Sequence, residues 1–151
     1  MHPYQNQVNK MWEVIKLELR AKKNGFWLES LSLSYMLLEV NLRLLLTSKA
    51  GKDSIPLSSG KIDKQLYLIQ LANLARDHKF IGRVTWQKIK EFNDMRRKAI
   101  HSLIRGEITY EELEEPAKNT FEIAYAIQNK WLSITFEKVE TYEEYSANNP
   151  E

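Results

Sequence analysis

The chain has 151 residues, enough for one domain with a real core. Apolar residues make up 43% and charged residues 28%, the balance of an ordinary soluble globular protein. There is no cysteine, which excludes disulfides and thiolate metal sites, and the net charge of +2 is unevenly spread.

Residues 1–7 are polar and lack an apolar run, so no secretory signal and a cytoplasmic location are expected. A first helix is predicted from about Gln5 to Lys23. Val8, Met11, Trp12, Ile15 and Leu19 recur on its apolar face, and Asn24-Gly25 stops it. A second helix, from about Leu28 to Thr47, is apolar on more than one face: Leu31, Tyr35, Leu38, Leu42, Leu45 and Leu46, with Met36, Leu37 and Leu44. Such a helix is central or is shared with a partner chain. Leu31 to Leu46 is the longest hydrophobic stretch, but Glu39 and Arg43 interrupt it, so it reads as a buried helix and no membrane association is expected.

Ser48 to Gly60 is a loop rich in Gly, Ser and Lys. A third helix, from about Lys61 to His78, turns Leu66, Ile69, Ala72 and Leu74 inward, and Gly82 breaks it. The fourth opens at Thr85 as N-cap, with Val84 and Ile89 placed for a hydrophobic staple, and runs to about Arg105 before Gly106. Thr109-Tyr110-Glu111-Glu112 is a capping-box pattern. Pro116 kinks or restarts the helix that follows. That last helix extends to about Phe136, with Phe121, Ala124, Ile127, Trp131 and Ile134 on one stripe. The expectation is an all-α fold with a single domain over residues 1–138 and an acidic, frayed tail over 139–151.

The glycine-rich turns of α/β enzymes are missing, and with them any phosphate-cradling loop; no G-x-S-x-G occurs. His2, His78 and His101 show no H-x-x-x-H spacing, so neither a metal site nor a cofactor is expected. The glutamates at 111–115 read as a helix N-terminal turn complementing the dipole, and His78 as a cation near a helix C-terminus.

Lys79 to Arg105 carries eight Lys/Arg against Glu91 and Asp94. Such a run is either a solvated helix face or an anion-binding patch. Projected at about 100° per residue, Ile89, Phe92, Ala99 and Leu103 share an apolar arc, and Arg96 falls inside it. A guanidinium in an apolar arc needs a partner or a function. Glu39 is the candidate partner, unless it pairs with Arg43 four residues on. Asn93, Arg97 and His101 follow one another on a different face, and Arg96 and His101 stand about 140° apart. The two meet at one phosphate only if the arginine reaches around, the helix distorts, or two chains each contribute.

The segment Phe92-Asn93-Asp94-Met95-Arg96-Arg97-Lys98-Ala99-Ile100-His101 resembles the R-x(4–6)-H signature of the HEPN superfamily, the likeness extending over about residues 60–135. The resemblance implies an up-and-down bundle of four to five helices, commonly a symmetric dimer. It also implies a metal-independent endoribonuclease of a toxin–antitoxin or phage-defence type system. Arg96 and His101 would be the catalytic pair, with RNA as substrate and an antitoxin or regulatory protein as a further partner. Asn93, Arg97, Lys98 and Lys90 would support the RNA strand, and Trp86 either stacks a base or belongs to the core or an interface. The residue after the motif arginine is usually Asn, Asp or His; here it is Arg97, which either adds to phosphate binding or disturbs positioning. Other members of the superfamily are inactive and act as protein-, nucleotide- or nucleic-acid-binding modules.

Overall fold

In the computed structural model, the residues described are 5–50, 66–118, 123, 126, 127 and 142–150. Their elements are α1 (Gln5–Lys23), α2 (Trp27–Ala50), α3 (Leu68–Asp77), α4 (Arg83–Ile104), a 3-10 turn (Glu111–Leu113), α5 (Glu114–Lys118) and α6 (Tyr142–Asn148). The described chain is all-α, with no strand among these residues.

α2 is the central element. It packs against α1, α3, α5 and the 3-10 turn. Leu31, Leu37, Leu38, Leu42, Leu45 and Leu46 are all buried, which explains why its sequence is apolar on more than one side. α1 brings Met11, Trp12 and Ile15 to this core, and α4 brings Ile89 and Phe92. On α3 the buried set is Leu68, Leu71, Ala72 and Ala75, the i, i+3, i+4, i+7 pattern. The expected inward residues Leu66, Ile69 and Leu74 are only half-buried, because the buried stripe is set by residues 68 and 71.

Three helices end the same way. The amide of Phe26 donates to the carbonyl of Ala21, that of Phe80 to Ala75, and that of Glu107 to Ser102. Each bond spans five residues and requires a left-handed residue before the donor. Gly25 and Gly106 supply it at φ 72°, as their positions in the sequence suggest, but after α3 the residue is Lys79 at φ 60°. Gly82, expected as the breaker, is instead the N-cap of α4. α4 therefore begins before the expected Thr85 cap. Val84 is 71% exposed, so the staple to Ile89 does not form. The capping box downstream is partly present: the Thr109 amide donates to Glu112 Oε2 at 2.7 Å.

Within the segment expected to be a frayed tail, residues 142–148 form α6. Tyr145 is buried and its ring lies 6.2 Å from that of Trp12. Lys16 Nζ sits 5.9 Å from the Tyr145 ring centre and donates to the Asn149 carbonyl at 2.6 Å. An acidic composition hid one aromatic anchor that finds an apolar seat on α1. Tyr145→Ala is expected to cost about 2 kcal/mol of stability. Urea unfolding followed by tryptophan fluorescence checks it, and an unchanged midpoint would show that the seat contributes nothing. Of the stripe expected on the last helix, Ile127 is buried, and Phe121, Ala124, Trp131 and Ile134 lie outside the described residues.

Candidate functional site

α3 and α4 are locked side by side near one end. Trp86 Nε1 donates to Asn73 Oδ1 at 2.8 Å. The Arg76 guanidinium lies 4.3 Å, and Lys90 Nζ 5.6 Å, from the Trp86 ring centre. Trp86 is thus occupied within the helix pair, as the core or interface reading of this residue anticipates, and is poorly placed to stack a base.

One to two turns further along α4, the two helices frame an open-sided cavity of about 670 Å³. That volume falls in the usual range for small-ligand sites, roughly 300–1,000 Å³. α4 contributes Lys90, Asn93, Asp94, Arg96 and Arg97 to its walls, and the start of α3 contributes Tyr67 and Gln70. Three cations face one carboxylate. Four of the residues singled out in the sequence, Asn93, Arg96, Arg97 and Lys90, therefore share one site.

Arg96 is half-buried, as its place in the apolar arc requires. Its guanidinium carbon sits 4.0 Å from the ring centre of Tyr35. Burial lowers its pKa from the ordinary arginine value, Tyr35 opposes this, and neighbouring Arg97 adds to it. The group stays charged, since arginine does not deprotonate in proteins. Its Nε is buried without a hydrogen-bond partner. Glu39, expected as a partner, is engaged elsewhere: Arg43 Nη2 lies 3.2 Å from Glu39 Oε1. The same Nη2 donates to the Leu66 carbonyl at 2.6 Å. Helix spacing favours the i,i+4 pair within α2 over a bond across to α4. An aromatic face does for Arg96 what a carboxylate was expected to do.

Asn93 shares the cavity wall with Arg97, the residue four positions on, but not with His101. It is 7% exposed, and its carboxamide has no hydrogen-bond partner among the described residues. Arg97 is exposed at the cavity rim. His101 and Lys98 are not part of the cavity wall; both are exposed, and the His101 ring makes no polar or ring contact with a described residue. The structure thus gathers Lys90, Arg96 and Arg97 and leaves the histidine outside them.

Tyr67 and Gln70 were not legible as site residues. A helix continuous from Lys61 places Tyr67 in mid-helix. In the structure Tyr67 is extended, at φ −81° and ψ 166°, and caps α3. The residue is 73% exposed. The one signal in the sequence is the aromatic in Leu66-Tyr67-Leu68-Ile69, which breaks an otherwise aliphatic run.

Among the described residues no group of three His, Asp or Glu is placed to hold a metal ion, and no helix is long and apolar enough to cross a membrane. The class defined is an all-α protein with a basic, open-sided cavity between two helices. Compared with known proteins, the chain matches no family model, no curated protein and no solved structure.

Proposed function

We propose that this protein is a metal-independent endoribonuclease of the HEPN kind, an up-and-down helical bundle acting as a symmetric homodimer. The observation that carries the reading is the shared cavity of Arg96, Arg97, Lys90 and Asn93. Two guanidiniums and an ammonium there suit a phosphodiester, which arginine holds through a planar fork of donors. The RNA 2′-oxygen attacks the adjacent phosphorus, and the 5′-oxygen leaves, forming a 2′,3′-cyclic phosphate. His101 takes the 2′-hydroxyl proton or delivers one to the leaving oxygen. Arg96 stabilises the charge that builds on the phosphorane. The need for a 2′-hydroxyl selects RNA over DNA.

His101 stands about 140° around α4 from Arg96, outside the cavity wall, so one protomer does not complete the site. A two-fold axis that brings two copies of α4 together supplies the histidine of one chain to the arginines of the other. The toxin–antitoxin or phage-defence setting, and control by an antitoxin, belong to the same reading.

The test is labelled single-stranded RNA incubated with the protein in EDTA. Cleavage leaving cyclic-phosphate ends is the expected result, and intact RNA overturns the catalytic reading. A second reading is an inactive dimer that binds nucleic acid, a nucleotide or a protein, and the exposure of His101 away from the cavity favours it. Salt-dependent RNA binding without cleavage selects it.

A further inference from the structure

A bare phosphate would use the cations of the α3–α4 cavity but leave two of its features idle. One is Tyr67, an aromatic residue 73% exposed in the cavity wall. A large exposed aromatic beside cations is a surface on which a π-system stacks. The other is Asn93, 7% exposed and without a hydrogen-bond partner among the described residues. A carboxamide open to the cavity offers two donors and an acceptor to whatever enters. Because Asn93 lines the cavity, a ligand that enters can meet them.

The backbone at Tyr67 is held by two hydrogen bonds. Arg43 on α2 bonds the carbonyl of Leu66, and the Tyr67 amide donates to Gln70 Oε1 at 2.8 Å. The residue is fixed on both sides of its own peptide unit, so less ordering is left for the ligand to impose.

We infer that the cavity takes one splayed-out nucleotide of single-stranded RNA, its base stacked on Tyr67 and hydrogen-bonded at its edge by Asn93, with Arg97 and Lys90 holding the adjoining phosphate. This deepens the RNA reading of the site and rests on it. A paired base presents neither its face to Tyr67 nor its edge to a side chain as buried as Asn93, so the ligand is unpaired. Asp94 on the same wall offsets part of the positive charge and makes the site depend on the base as well as on the phosphate.

The experiment is fluorescence anisotropy on 2′-O-methyl RNA, which this chemistry cannot cleave. It compares a base-bearing oligonucleotide with an abasic one of the same length. Tyr67→Ala is expected to weaken the base-bearing strand about 5- to 150-fold, the strength of one base–aromatic stack, and the abasic strand less than about two-fold. Tyr67→Phe restores wild-type binding, and Arg97→Ala weakens both strands. Tyr67→Ala acting equally on both strands, or on neither, overturns this inference alone. Failure of the wild-type protein to bind either strand overturns the RNA reading as well.

Discussion

Replacing His101 by alanine is expected to lower metal-free RNA cleavage by about 10²- to 10⁴-fold, the usual contribution of a positioned general acid or base. The ring is exposed and makes no polar or ring contact with a described residue, so its loss has no structural cost to confuse the result. The variant should melt with the wild-type protein and bind cleavage-resistant RNA with nearly the same affinity. Arg96→Ala should be comparably inactive. It should also bind RNA more weakly, because Arg96 belongs to the cavity wall. Mixing the two inactive variants then reads the assembly. If each site takes its arginine from one chain and its histidine from the other, a mixed dimer keeps one intact site. Statistical mixing makes about half of the dimers mixed, so about a quarter of wild-type activity should return. Activity that survives in His101→Ala alone would remove the histidine from the mechanism. Absence of recovery on mixing, with subunit exchange demonstrated, would remove the two-chain site.

Glu18→Ala is expected to destabilise the fold by about 3 kcal/mol, lowering the melting temperature by roughly 10 °C. Glu18 is fully buried between α1 and α2. Its Oε1 accepts from the Ser30 hydroxyl at 2.8 Å and from the Ser34 hydroxyl at 3.2 Å, and Lys22 Nζ lies 3.0 Å away. Alanine removes the acceptor that all three share and leaves the buried Ser30 hydroxyl without it. Glutamine is the informative comparison. It keeps an acceptor for the two serines and gives up the charge opposite Lys22. It should cost less than about 1.5 kcal/mol, since a lysine with some access to water recovers part of its solvation. Urea unfolding of both variants decides the matter. Equal losses would place the stabilisation in the charge and not in the hydroxyl bonds.

The helices of this protein could be read from periodicity because its apolar residues obey it; Trp12, Ile15, Leu38, Leu42 and Ile89 are buried as their spacing demands. Helix ends were legible where glycine marks a left-handed stop and illegible at Lys79, where a longer side chain adopts the same backbone. Arg96 was picked out by its place in an apolar arc, which is a property of one helix. Its companion was not, because the choice of Tyr35 over Glu39 depends on how α2 faces α4. The burial of Asn93 escaped for a related reason. An angle on a helical wheel says which way a residue points but not what covers it, and α3 runs alongside α4 there. Tyr67 escaped because its role depends on where α3 begins, the least certain quantity in a sequence reading.

The C-terminal helix has a thermodynamic corollary. A helix of seven residues, Tyr142–Asn148, is far below the length at which isolated helices persist in water, about 12–15 residues. Its coil-to-helix transition and its seating on Trp12 and Lys16 are therefore one equilibrium. Tethering supplies the high effective concentration that so small a contact needs. Severed from the chain and offered as a free peptide, the same residues would dissociate at any practical dose, so the segment acts as an intramolecular ligand of α1.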